Sequence, residues 1–195
     1  MAGKLESFVQ FFARLVSHLF NIVIPGKLFA ARLLVANQHT EEALPYLRLG
    51  KVVEIIENSA DEISSDLTSV AVNGKKSQKT NILYVGRLVD WKAVDVLIDV
   101  FAKIDDPAIH LDIVGEGQDM IALKNQAKDL KNVTFHGWVE YSKIHQIYDK
   151  ADIFVLPSVR ECGGAVVLEA MARGVPTIAT AWGGPVDYIR KEQGI

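Results

Sequence analysis

The sequence predicts an α/β protein, an open parallel sheet with helices on both faces. Three observations predict it. From Asn81 onward, short apolar runs alternate with helical patterns, the β-α-β rhythm of a parallel sheet. The runs are mostly continuous rather than alternating, as strands buried on both faces require. Glycine stands in the turn after every run.

The elements follow in order. The stretch "MAGKLESFVQFFARLVSHLFNIVIPGK" is apolar but interrupted by Glu6, Gln10, Arg14 and His18, and reads as an amphipathic helix ending near Pro25-Gly26. A short strand is predicted at 32–37, a helix at 40–47 and a strand at 52–56. Residues 58–80 are polar and turn-rich and read as a linker. Strands are then predicted at 81–86, 109–115, 133–137, 152–157 and 176–180. Helices are predicted near 91–104, 117–129, 141–150, 164–173 and 184–190. Gly174 followed by Pro176 is a helix stop. The domain reading is therefore 1–57 as a partial amino-terminal domain, 58–80 as linker and 81–195 as a Rossmann-like domain. The closing "RKEQGI" reads as the approach to a further strand, so the chain is expected to be a fragment.

The chain has 195 residues, 49% hydrophobic and 23% charged, which is ordinary globular composition with enough length for a real core. A net charge of −3 makes no electrostatic case for nucleic acid. The single cysteine, Cys162, excludes an internal disulfide and a cysteine metal cluster. A reducing, cytoplasmic setting is the default expectation. No apolar run reaches the ~18 residues that span a bilayer. Phe8, Phe11, Phe12, Leu15, Leu19 and Phe20 form an apolar stripe within 8–24. It faces either a protein core or, as a peripheral contact, a membrane surface; few Lys or Arg line its polar side, which favours the core.

Ligands of open parallel sheets bind beyond the carboxyl ends of the strands. The residues there are Gly86-Arg87, Gly115-Glu116-Gly117, Gly137-Trp138, Ser158 to Gly164, and Ala181 to Gly184. Arg87 leaves the first strand of this series, and Lys92 opens the next helix. Together they suit a diphosphate, as a bidentate fork and a point charge. The alternative is a solvated arginine and a surface lysine. Gly163-Gly164 opens a helix whose first N–H groups are unsatisfied, so the turn can hold phosphate; a tight loop with no ligand is the other reading. No G-x-G-x-x-G fingerprint occurs. The helix "AVVLEAMA" is apolar nearly all round, so Glu169 must emerge at a polar crevice or find donors, and ribose hydroxyls are suitable donors. Glu161 lies eight residues earlier, about 12 Å if helical throughout, a span that brackets a nucleotide sugar. A loop carboxylate near Arg160 and an acid on an exposed helix edge remain the other reading.

These residues carry a resemblance. "VGRLVDWKAVDVLIDVF" (85–101), "LDIVGEG" (111–117), "VTFHGWV" (133–139) and "ADIFVLPSVRECGGAVVLEAMARGVPTIATAWGGPVDYI" (151–189) occur in the order of the donor-binding domain of family-4 retaining glycosyltransferases of the GT-B fold. The E-x7-E pattern at Glu161 and Glu169 is embedded in the last block. The resemblance covers roughly the last two-thirds of the chain. It implies a transferase that moves a sugar from a UDP- or GDP-sugar to an acceptor, with retention at the anomeric carbon. It implies Arg87 and Lys92 on the diphosphate and Glu169 on the ribose. Glu161 and the backbone of Gly163, Gly164, Ala165 and Val166 would hold the sugar and phosphates. Gly137, Trp138 and Val139 would lie near the base, with Gly86 beside Arg87 on the donor site. No metal or other cofactor is expected, because cationic side chains and the helix start do the electrostatic work.

The sequence also departs from the family pattern. Ala93 stands where the family usually has glycine, which tightens the turn near the phosphates. Cys162-Gly163 replaces the more frequent glycine-aromatic pair. Residues 1–57 resemble only the end of the acceptor domain, and His39 does not match the family's catalytic-site histidine. The chain is therefore expected to be weakly active or inactive alone. A non-catalytic nucleotide- or sugar-binding module derived from such an enzyme is the alternative. The acceptor, whether polysaccharide, lipid-linked or small molecule, is not readable.

Overall fold

In the computed structural model, residues 29–35, 50–55, 79–104 and 106–189 are described, with Val16, Leu19, Glu41 and Leu44 as single positions. The chain divides into two compact units, Met1–Ile56 and Glu57–Ile195. In the first unit, β1 (Arg32–Val35) and β2 (Lys51–Glu54) pair in parallel, with Arg32 opposite Lys51 and Val35 opposite Glu54. Val16 and Leu19 are helical and exposed. The rest of the predicted 8–24 helix, most of the 40–47 helix and the 58–78 stretch lie outside the described residues.

The second unit carries five strands: β3 (Thr80–Val85), β4 (Ile109–Val114), β5 (Val133–Gly137), β6 (Ile153–Leu156) and β7 (Thr177–Ala179). All pair in parallel, in the spatial order β5-β4-β3-β6-β7. The order reverses between β3 and β6, and such a switch point opens a crevice at the carboxyl ends of the strands. The helices are α1 (Val94–Phe101), α2 (Met120–Gln126), α3 (Tyr141–Tyr148), α4 (Ala165–Ala172) and α5 (Pro185–Tyr188).

The register shows why both faces are covered. Ile113 of β4 lies opposite Phe135 of β5, and Lys124 of α2 rests over the Phe135 ring at 5.9 Å. Phe154 of β6 lies opposite Leu83, which lies opposite Asp112 on the other face of β4. There Tyr148 of α3 meets Phe154, with ring centroids 5.9 Å apart. Leu83, Tyr84, Leu111, Ile113, Phe154 and Leu156 are at most 1% exposed and form the middle of the core. Continuous apolar strands are the consequence.

Two helices start later than the periodicity suggests, each for a local reason. The predicted 91–104 helix begins as a 3-10 turn over Asp90–Lys92, then breaks at Ala93. Ala93 has φ 51, the left-handed region, so α1 starts only at Val94. That conformation costs a non-glycine residue about 1 kcal/mol. The predicted 117–129 helix begins at Met120, because the Asp119 N–H donates to the Leu88 carbonyl at 3.1 Å.

Candidate donor-binding site

Beyond β3 and β4 the ladder continues into the turns. The Gly86 N–H donates to the Val114 carbonyl at 3.0 Å, and the Leu88 N–H to the Glu116 carbonyl at 2.9 Å. The two turns touch so closely that a Cβ on Gly115, which has φ +125, would stand 1.9 Å from the Gly86 carbonyl oxygen. Only glycine fits there. From below, the buried Tyr84 hydroxyl donates to the Arg87 carbonyl at 3.0 Å. Burial, and then the Glu161 charge, raise the Tyr84 pKa, so this hydroxyl stays a donor. The backbone of Arg87 is thus held from two sides while its side chain is exposed.

A cleft of about 380 Å³ opens at these turns. Gly86, Arg87 and Glu116 line one side, Trp138, Val139 and Tyr141 another, and Val166 and Glu169 of α4 close it. Trp138 is 67% exposed, a large aromatic surface offered at the rim. The Glu116 Oε1 accepts a long bond, 3.4 Å, from the Trp138 N–H. Glu169 is half-buried, and its Oε2 accepts a hydrogen bond from the Tyr148 hydroxyl at 2.9 Å. So the carboxylate does emerge at a crevice, and it has also found one protein donor. Burial, and then Glu169, push the Tyr148 pKa well above the ordinary phenol value.

The second charged group lies on the loop between β6 and α4. Glu161 is buried, and its Oε2 accepts a hydrogen bond from the Lys92 ammonium. Their side chains are only 10% and 15% exposed. Glu161 pairs with a lysine 69 residues away in sequence, not with the neighbouring Arg160. The loop is pinned on both sides. The Val159 N–H donates to the Trp91 carbonyl at 2.9 Å, and the Gly184 N–H to the Cys162 carbonyl at 2.9 Å. A Cβ on Gly183, at φ +69, would stand 1.8 Å from the Glu161 carbonyl oxygen. The glycine pair 183–184 is thus the seat on which the Glu161 loop rests.

Gly163 and Gly164 carry the chain from this loop into α4. Gly164 is left-handed at φ 69 and supplies no capping side chain; among the described residues no side chain caps the first N–H groups of α4, and the Val167 N–H donates to the Gly164 carbonyl at 2.8 Å. Of the residues singled out from sequence, Gly86, Arg87, Trp138, Val139, Val166 and Glu169 line one cleft, with Gly137 ending β5 just before Trp138. Lys92 and Glu161 instead meet each other, and Gly163, Gly164 and Ala165 connect the two groups. Among the described residues, no group of three or more His, Cys, Asp or Glu side chains is arranged to hold a metal ion. Sequence reasoning missed Tyr148 and Tyr84. Both are 0% exposed and read as core aromatics, and no spacing rule points to their hydroxyls.

Known proteins resemble this chain in sequence and in fold. Residues 66–195 match the family "Glycosyl transferases group 1". An uncharacterized glycosyltransferase of Methanocaldococcus jannaschii is 35% identical over 123 residues, covering 61% of this chain and 32% of that protein. Mannosylfructose-phosphate synthase of Agrobacterium fabrum is 37% identical over 116 residues, covering 53% of this chain and 26% of that protein. The chain thus spans about a third or less of these curated relatives. Anabaena HepE, in a crystal structure with UDP-glucose, superposes with a TM-score of 0.66 at 23% identity, covering 85% of this chain and 49% of that one. That likeness carries the fold, the same parallel sheet between two layers of helices. With the family match spanning most of the described sheet unit, this chain belongs to the glycosyl transferases group 1.

Proposed function

We propose that this chain carries the donor half of a family-4 retaining glycosyltransferase, which takes a UDP- or GDP-sugar and passes the sugar to an acceptor. The observation that carries the reading is the shared cleft of Arg87, Trp138, Val166 and Glu169 at the strand ends beside the switch point. A nucleoside diphosphate matches its chemistry. The aromatic rim around Trp138 and Val139 takes the base, and Glu169 accepts from ribose hydroxyls. The Arg87 guanidinium and the uncapped N–H groups of α4 take the phosphates. UDP-glucose bound to the fold relative is consistent with that donor class.

Glu161 and Lys92 then serve the far end of the donor. With a diphosphate present, the Lys92 ammonium has a second anion within the site and shares its charge between Glu161 and phosphate. The Glu161 carboxylate, so released, accepts from sugar hydroxyls. Both cations stabilise the leaving nucleoside diphosphate as its charge grows in the transition state, and no metal ion is needed for that step. Equilibrium titration of the folded 195-residue chain with UDP and GDP tests the reading. Saturable binding of one of them below millimolar concentration is expected. No binding of either at several millimolar overturns it.

A further inference from the structure

Tyr148 ends α3 with its side chain entirely buried against Phe154 of the sheet. A phenol so placed needs a partner for its hydroxyl, and the backbone of the described residues offers it the Val166 carbonyl at 3.5 Å, a weak contact. The hydroxyl is aimed instead at Glu169 Oε2, at 2.9 Å. Among the described residues no donor reaches Oε1 of the same carboxylate, and Glu169 lines the cleft. One turn of chain further on, Arg173 clasps Asp149, its Nε 2.7 Å from Oδ1. α3 and α4 are therefore already joined without the tyrosine hydroxyl.

We propose that Tyr148 is a positioning residue for Glu169. Its buried hydroxyl holds Oε2, fixes the rotamer of the carboxylate, and leaves Oε1 as the acceptor presented to a ribose hydroxyl in the cleft. The inference rests on the ribose role proposed for Glu169 above. The physical reason is orientation. A glutamate side chain has three rotatable bonds and loses rotamer entropy when it engages a ligand. A buried donor that removes this freedom before the ligand arrives makes the ligand's own hydrogen bond stronger. The phenol stays protonated through neutral pH, because burial and the neighbouring carboxylate both favour its neutral form.

The test compares a ribose with a deoxyribose ligand, which a merely structural role would not distinguish. Wild-type chain and Tyr148→Phe are titrated with UDP, GDP and their 2′-deoxy forms, with folding checked by circular dichroism. A hydrogen bond to a charged acceptor corresponds to a wild-type preference for the ribose form of about tenfold. In Tyr148→Phe this preference is expected to fall to about twofold. A folded variant that keeps the full preference, or weakens both ligand forms alike, overturns the proposal. Should Tyr148→Phe fail to fold, the substitution is made in a Glu169→Gln background, which removes the carboxylate charge left without its phenol. There it is expected to change the preference less than twofold, and a larger change overturns the proposal. Absence of any nucleotide binding by the wild-type chain is a different failure: it sinks the donor-site reading itself and the role of Tyr148 with it.

Discussion

The two carboxylates of the E-x7-E pattern live in opposite surroundings. Glu161 is buried, and Lys92 already neutralises it. Glu169 lines an open cleft, held among the described residues by a neutral phenol, with the exposed Arg87 lining the same cleft. On the donor reading proposed above, a ligand would reach Glu169 without displacing a protein partner, whereas at Glu161 it would have to exchange with a buried ion pair. The spacing alone does not separate the two acids; in the fold one lines a cleft and the other belongs to a buried ion pair.

Substitutions that separate stability from binding break or sharpen this contrast. The largest expected effect is Glu161→Ala. It leaves the Lys92 charge buried without a partner, and breaking a buried pair costs about 3 kcal/mol or more. Chemical denaturation should show that loss, and a change below about 1 kcal/mol would mean the pair is not part of the fold. Arg87→Ala is the reverse case. No hydrogen bond from its exposed side chain to another described residue is seen, so stability should move by less than about 0.5 kcal/mol. Nucleoside diphosphate affinity should fall about tenfold, the scale of one charge-assisted contact.

The two buried tyrosines predict the alkaline limb of stability. Both folded-state pKa values are raised above the ordinary phenol value of about 10. Below pH ~10 the phenol is neutral in both states and costs nothing. Above it the unfolded chain releases protons that the folded chain keeps, so stability falls, by up to ~1.4 kcal/mol per pH unit for each tyrosine. Melting measured from pH 9 to 11 should show this decline, shallower in Tyr84→Phe. A slope identical in the variant would contradict it. The smallest effect is Ala93→Gly, which relieves the left-handed strain at φ 51 and should stabilise by up to ~1 kcal/mol, less the extra chain entropy of glycine.

How much of this was legible follows physical lines. The strands β3 to β7 were readable because burial on both faces makes each a bounded apolar run, and their observed limits fall within two residues of the runs. The α1 start was not readable, because an alanine in the left-handed region gives no compositional sign. Arg87 is legible as a cleft residue from its place at a strand end, and Glu169 from being the one acid of an otherwise apolar helix. The Lys92–Glu161 pair was not, since nothing local relates residues 69 apart. Tyr148 was hidden for a further reason: a buried aromatic satisfies the core pattern whether or not its hydroxyl has work to do.

In the proposed function, Glu169 serves the nucleoside and Glu161 the sugar of one bound donor. Calorimetric titration of wild type, Glu169→Gln and Glu161→Gln with the nucleoside diphosphate that binds, and with its hexose conjugate, tests it most directly. Glu169→Gln should weaken both ligands by the same factor, about tenfold. Glu161→Gln should weaken only the conjugate, leaving the free diphosphate unchanged or tighter, because Lys92 is released to it. Equal weakening of both ligands by Glu161→Gln, or no effect of Glu169→Gln on either, would contradict the account.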